Sequence, residues 1–427
     1  MLDMKHSGIE WIGSIPKDWK INRLKYDINC YDGKRIPIDA SLREEGPYPY
    51  WGAGSVMDYV NDYIFNEEIV LLGEDGAPFF DEYRPVAFLI NEPVWVNNHI
   101  HVIKGNKNII NKYLMYFLNI VKYDVYINGS IINKLTQSNM NNINITLPKL
   151  KEQQLIAKFL DSKIGKIDDI LKDINKQVEL LNDYKKALIT ETVTKGLNPN
   201  AEMKDSGIDW IRSIPKHWSV NRINNICKLK GRIGWQGLTT DEYIDEGPYL
   251  ITGVDFSNGS IDWNNCEHVS EWRYDQAVEI QIKENDLLIT KDGTVGKIAI
   301  VQKCPEKATL NSGVLLIRSI NNAYINKFLY YILYSNEFWQ WFEITNLGAT
   351  TITHLYQNVF AKFLVAMPNI KEQQEIVDYL DGKCEEIDTL IKYKQEQIEK
   401  MKQYKKSLIY EYVTGKKRVK GAEELYG

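Results

Sequence analysis

Between Pro148 and Gly196, apolar side chains fall at Leu160, Ile164, Ile167, Leu171, Ile174, Val178 and Leu181, in alternating steps of four and three. Lys, Asp, Glu and Asn fill the positions between them. This is heptad spacing, and it predicts a long helix with one apolar seam. The pattern returns between Pro368 and Gly415 at Leu380, Cys384, Ile387, Ile391, Ile398 and Met401, interrupted at Lys394. Prolines mark both starts and glycines both ends. About 44 residues at ~1.5 Å each make a rod of roughly 65 Å. Two stripes that are costly to leave in water are best covered by packing the rods on each other as a coiled coil. The alternative is that each rod covers a separate domain.

The chain outside the rods has a different rhythm. Glu68–Leu72, Val86–Ile90, Asp286–Thr290, Lys297–Val301 and Gly313–Arg318 are short apolar runs rich in β-branched residues and bounded by Gly, Pro, Asn or Asp, which predicts strands. Lys112–Asn119 and Lys327–Ser335 predict one short helix in each body. These bodies are mixed α/β with more strand than helix.

The halves repeat one another. Aligning Lys5–Leu24 with Lys204–Ile223 at an offset of 199 gives 13 identities in 20 positions, among them Trp11 and Trp210, Pro16 and Pro215, and Trp19 and Trp218. A second repeat pairs Leu147–Lys195 with Met367–Gly415 at an offset of 220, anchored by KEQQ at Lys151–Gln154 and Lys371–Gln374. Each half is therefore an opening phrase, a variable body and a closing rod. Weaker correspondences link the bodies, including Asp75-Gly76 with Asp292-Gly293 after a strand, and Asn97 with Asn311 before one.

Composition narrows the function. The 427 residues suit two or three domains, and 44% hydrophobic with 26% charged residues is the balance of a folded soluble protein. No apolar run approaches a membrane span, and the opening residues lack the form of a signal peptide, so a cytoplasmic location is expected. Cys30, Cys227, Cys266, Cys304 and Cys384 are scattered, which indicates neither a disulfide framework nor a zinc site. A net charge of −5 sets the chain as a whole against strong unaided nucleic-acid binding.

Catalytic chemistry is hard to find. Lys291-Asp292-Gly293-Thr294-Val295-Gly296-Lys297 has the wrong glycine spacing for a phosphate loop and lacks Ser or Thr after its last lysine, so a tight turn presenting Lys291 and Thr294 is expected. His99 and His101 lack partners at metal-ligand spacing and are expected to be structural, with no metal bound. What remains are polar turns at matching places in the halves. Lys34 and Arg35 correspond to Lys230, Arg232, Trp235 and Gln236, while Asn128, Ser130, Asn133 and Lys134 precede the first rod as Thr350 and Thr351 precede the second. Side chains of these types read base edges and hold phosphates, which makes them the candidate DNA-binding residues; the alternative for each, taken singly, is an ordinary solvated turn.

Taken together, W-x4-P-x2-W before each body, the LPKLKEQQ and MPNIKEQQ entries to the rods, and GRIGWQGLTTDEY and TKDGTVGK in the second body resemble the specificity (S) subunits of type I restriction-modification systems. The resemblance covers the whole chain. It implies an α+β fold with a circular, pseudo-two-fold repeat: target recognition domains at 1–150 and 198–370, and at 151–197 and 371–427 two helices that pair antiparallel as a spacer. It implies double-stranded DNA as ligand and, as partners, two modification subunits that methylate adenine with S-adenosylmethionine and two ATP-driven restriction subunits that use Mg. No catalysis and no cofactor are expected on this chain. The rival class is a coiled-coil scaffold whose bodies bind protein. If the repeat is circular, the first phrase folds against the end of the second rod as the middle phrase folds against the end of the first. Trp11, Pro16, Trp19, Trp210, Pro215 and Trp218 then act as packing anchors.

Overall fold

The structure is a computed structural model and describes residues 3–127, 133–232, 237–346, 354–422 and 425. Contacts divide the chain into two units, Met1–Lys176 with Lys394–Gly427, and Gln177–Tyr393. Each unit takes one part of each long helix, whereas the sequence boundaries at 150, 197 and 370 follow the ends of elements.

In the first unit, four antiparallel strands lie in the order Ile28–Cys30, Ile100–Gly105, Ile69–Gly73, Ala87–Ile90. A three-stranded sheet runs Val56–Val60, Tyr48–Trp51, Trp95–Val96. Strand Ile69–Gly73 is buried at every position, so it reads as a continuous apolar run rather than an alternation. Its side chains still alternate between faces. Val70 and Leu72 join a core with Tyr113, Leu114 and Phe117 of helix Asn111–Leu118, while Ile69 and Leu71 join another with Val94, Val96 and Val102.

The second unit repeats the strand order: Cys227–Gly231, Val314–Ser319, Leu287–Thr290, Ile298–Ile300, with a second sheet of Glu267–His268, Ile244–Ile251 and Ala308–Leu310. Leu287 and Ile289 face the helical core, and Leu288 faces the one with Ile251 and Leu310. The predicted strands and short helices are present to within a residue or two. Helix Asn326–Tyr334 is followed by a second, Asn336–Thr345, which the sequence reading did not anticipate. Phe338, Trp341 and Phe342 bury its inner face; an aromatic cluster gives no clear helical signal because those residues suit strands as well.

The long helices span Leu150–Lys195 and Ile370–Val413. Just beyond them, Gly196 and Gly415 adopt φ of +71° and +72°, the left-handed ending that glycine tolerates best. Of the seam residues, Leu160, Ile164, Ile167, Ile174, Leu380, Cys384, Ile387, Ile391 and Ile398 are buried, while Leu171, Val178, Leu181 and Met401 are partly so. In the first unit the rings of Phe159 and Tyr412 lie 4.4 Å apart, and Lys405 Nζ lies 2.6 Å from Asp168. One residue number rises as its partner's falls, so these helix segments run in opposite directions. In the second unit Lys185 meets Asp388 at 2.7 Å. There Ile189 and Val193 share a core with Ile376, Val377, Leu380 and Cys384.

Candidate nucleic-acid interface

Each body is bolted at its base by the two repeated motifs. In the first unit Trp19 is wholly buried and its indole Nε1 donates to Glu152 of KEQQ at 3.0 Å. Pro16 and Trp19 pack against Gly415, where an added Cβ would lie 2.3 Å from the proline ring. Trp11 packs on Tyr410 and Phe117, and the Tyr410 hydroxyl donates to the Trp11 carbonyl at 3.0 Å. Arg418 pairs with Asp18 and, at 3.2 Å, with Glu152. The first phrase thus lies on the last turns of the second long helix. In the second unit Trp218 Nε1 donates to Glu372 at 2.9 Å, and Trp218 and Pro215 pack by Gly196. Trp210 stacks on Phe363.

The third KEQQ residue has its own role. Gln153 accepts from the Ile110 backbone N–H at 3.0 Å and donates to the carbonyls of Asn108 and Pro148. Gln373 accepts from the Ile325 N–H at 3.0 Å and donates to the Pro368 carbonyl. Ile110 and Ile325 are the residues just before the short helices. One helical turn therefore holds both the opening phrase and the entry to the body's helix.

The candidate side chains sit around the Asp-Gly turn that follows the central strand. In the first unit Arg35 is half-buried, donating to Glu74 at 2.5 Å and to the carbonyls of Asp32, Asn98 and Ile100. Lys134 meets Glu74 at 3.2 Å and Asp75 at 3.4 Å, and the Asn133 carbonyl accepts from the Gly76 N–H. Lys34 is exposed over the ring of Tyr31. Arg35 and Lys134 are thus brought together through Glu74. Asn128 and Ser130 lie outside the described residues.

Asp32, Glu74 and His101 were missed as a group. Their ligand atoms lie within 4.8 Å of one another, a spacing compatible with a metal ion. The donor set is already occupied by the protein's own groups. His101, fully buried, bonds Asp32 at 2.6 Å and the Leu135 carbonyl at 2.8 Å, and Arg35 binds Glu74. Burial pushes the Asp32 carboxyl up, but His101, the Val102 N–H and Arg35 outweigh it and hold it below the usual range. This is a neutralised structural network. His99 stands apart from it, exposed and bonded to Asp75.

In the second unit Lys291 contacts Asp292 at 2.9 Å, and His354 contacts the same carboxylate at 2.7 Å. Burial raises Asp292, and the bonds from His354 and Lys291 more than offset that and lower it. Thr294 is exposed, its carbonyl accepting from the Thr290 hydroxyl at 2.5 Å, with glycines of positive φ at 293 and 296. Lys230 pairs with Glu279 at 2.7 Å. Arg232 is buried, bonding the Leu310 carbonyl and the Thr309 hydroxyl. Trp235, Gln236, Thr350 and Thr351 lie outside the described residues. The corresponding Asp-Gly turns were the sequence signal that could have found both networks.

Residues 16–180 and 215–400 match the family model described as the type I restriction modification DNA specificity domain. The chain belongs to this family. It is similar to the type I restriction enzyme MjaVIII specificity subunit of Methanocaldococcus jannaschii, 25% identical over 95% of this chain and 94% of that one. It is also similar to a putative type I restriction enzyme specificity subunit of Haemophilus influenzae, 26% identical over 85% of this chain and 86% of that one. Among solved structures it resembles a chain from work described as "Structural basis underlying complex assembly and conformational transition of the type I R-M system". That likeness has a TM-score of 0.67 and 14% identity, covering 93% of this chain and 98% of the other. Membership makes this chain a specificity subunit, a DNA-recognition component without a catalytic role, and its fold is that of the family. Among the described residues, no helix is long and apolar enough to cross a membrane.

Proposed function

We propose that the chain reads a bipartite, asymmetric duplex site, each body reading one part, with the long helices paired antiparallel as a coiled-coil spacer. One observation carries this: the same frame of phrase, strand order and KEQQ bolts recurs around two bodies whose turn chemistry differs. A repeated mount with unlike heads fits two unlike readings. The DNA-contacting side chains, whether to base edges or to backbone, come from Lys34, Asn128, Ser130 and Asn133 in the first body, and from Lys230, Arg232, Trp235, Gln236, Lys291, Thr294, Thr350 and Thr351 in the second. Arg35 and Lys134 act as positioning residues that hold the acidic turn.

A circular, pseudo-two-fold arrangement supplies two equivalent docking places. Two modification subunits, carrying S-adenosylmethionine, each methylate an adenine flipped from one strand. Two ATP- and Mg-dependent restriction subunits complete the assembly, and the chain binds no cofactor of its own. The acidic net charge fits a subunit that shares phosphate neutralisation with its partners in the cytoplasm. A rod of roughly 65 Å is long enough to separate two readings by one to two DNA turns of about 34 Å.

Replacing residues 228–367 with another such body changes one part of the methylated target; a change in both parts overturns modular reading. Adding one heptad between Leu171 and Val178, with a matching addition in the second helix, lengthens the unread spacer. An unchanged spacer refutes the ruler.

A further inference from the structure

The charge beside the Asp-Gly turn is reversed between the halves. Gly73 pairs with Ile100 at the end of one central strand, and Thr290 with Val314 at the end of the other. The next residues, Glu74 and Lys291, each offer a carbonyl to the N–H of a leucine before the closing rod, Leu135 at 2.7 Å and Leu355 at 2.9 Å. The places correspond and the charges are opposite.

In the first half this place is closed electrostatically. Glu74 and Asp32 bracket Arg35, and Lys134 lies between Glu74 and Asp75. In the second half the register puts Gly231 where Asp32 stands, two residues beyond the ladder pairs Leu229–Ile317 and Cys30–Ile103. Among the described residues, the arginine that follows has only uncharged acceptors. Arg232 is 5% exposed; its Nε donates to the Leu310 carbonyl at 2.8 Å and its Nη2 to Thr309 at 3.1 Å, while Nη1 is enclosed with no hydrogen-bond partner among the described residues.

The nearest charges do not make up the deficit. Glu242 is taken by Arg273, whose Nε donates to it at 2.6 Å, so this group holds two guanidiniums and one carboxylate. Burial, and then repulsion from Arg273, depress the Arg232 guanidinium pKa against the pull of Glu242. Lys291 adds a further cation, its stem lying by Gly231, 3.9 Å from where a Cβ would sit. Its head shares Asp292 with His354.

An uncompensated buried cation is costly and is stabilised by a counter-charge brought close. Beneath the surface it is screened less by solvent than an exposed lysine is. We infer that the second half carries an anchoring site for a DNA backbone phosphate that the first half lacks: Lys291 meets the phosphate, and Arg232, enclosed next to Gly231, supplies the uncompensated positive charge beside it. This rests on the reading of duplex DNA as the ligand.

The test measures DNA binding by the full chain assembled with its modification subunits, as a function of salt. Arg232→Gln and Lys291→Glu, the latter introducing the charge found at Glu74, each lower the slope of log K against log salt, Lys291→Glu by about 0.9 for the phosphate contact it loses. Lys216→Gln, a charge removed elsewhere in the same half, leaves the slope unchanged. The free chain, heated in inorganic phosphate and in chloride at equal ionic strength, melts higher in phosphate. In both variants the rise shrinks to the general stabilisation that phosphate gives a folded chain, the native rise being larger, and Lys291→Glu keeps the readout available should Arg232→Gln fail to fold.

Specific DNA binding with the native slope in both variants overturns the anchor and leaves the proposed function standing. A phosphate-dependent rise that shrinks in the variants, with unchanged DNA slopes, also overturns it, since the site would then hold a free anion instead of the duplex. Failure of the native assembly to bind any duplex overturns the proposed function, and the anchor with it.

Discussion

Replacing Gly415 with alanine tests whether the opening phrase is held on the second long helix by close packing. Gly415 has φ +72°, and a Cβ there would lie 2.3 Å and 2.7 Å from two atoms of the Pro16 ring and 3.2 Å from Trp19. Gly8 is the matched control, with φ +76° and nothing within 4 Å of its added Cβ. Left-handed backbone costs an alanine about 1–2 kcal/mol at either place. Only at Gly415 does a steric term add to it. Pro16 and Trp19 are buried and cannot swing into solvent, so forcing them apart adds about 2 kcal/mol, within the ~1–3 typical of overpacking. Gly415→Ala should therefore destabilise by about 3–4 kcal/mol and Gly8→Ala by about 1–2. At ~2–4 °C per kcal/mol for a cooperative unit of about 200 residues, the Tm falls by about 10 °C and about 4 °C respectively. Thermal melts of the full chain followed by tryptophan fluorescence read both values. Equal losses in the two variants would refute a packed joint.

Trp19→Phe should cost about 3 kcal/mol in urea denaturation and Trp218→Phe about 1.5, because hydrogen bonds to charged groups are worth ~1.5–3 kcal/mol and Glu152 is fully buried while Glu372 is partly open to solvent. Burial pushes the Glu337 carboxyl up to about 7, and its Oε2 has no hydrogen-bond partner among the described residues. Because the folded form holds its proton more tightly than the unfolded form, its contribution is most favourable below about pH 4.5. That contribution is lost as pH rises towards 7. Glu337→Gln should therefore stabilise the chain at pH 8 by about 1 kcal/mol, after allowing for the carboxyl's partial solvent screening, with no gain at pH 4; melts across pH read this, and an equal gain at both ends refutes it. A double-mutant cycle on Lys405 and Asp168 should give a coupling below about 1 kcal/mol that fades with salt; a larger, salt-independent value would contradict a solvent-exposed pair.

The long helices were legible because their heptad spacing is sustained and proline and glycine mark their ends, and the central strands because they are short apolar runs bounded by Gly, Asn or Asp. Ile69–Gly73 and Leu287–Thr290 are bounded runs, and the short helices came out one residue from their observed starts. Helix Asn336–Thr345 was not legible, because side chains such as Phe338, Trp341 and Phe342 serve a strand or a helix equally well. The Asp32–Glu74–His101–Arg35 network was hidden for another reason. Its members stand up to 69 residues apart, and only the ladder of Ile100–Gly105 with its neighbours brings them together. Arg35 and Arg232 sat in similar turns; Asp32 before one and Gly231 before the other was the local difference, while Glu74, 39 residues from Arg35, could not be read locally.

The bonds made by Gln153 and Gln373 have a consequence for how such a chain can change. Each glutamine grips main-chain groups, the N–H of Ile110 or Ile325 and the carbonyls of Asn108, Pro148 or Pro368. Every residue except proline offers the same N–H and C=O, so this clamp is blind to side-chain identity. A newcomer needs only the right backbone path into its short helix to be accepted by the socket. The fixture can then stay constant while the letters it displays change.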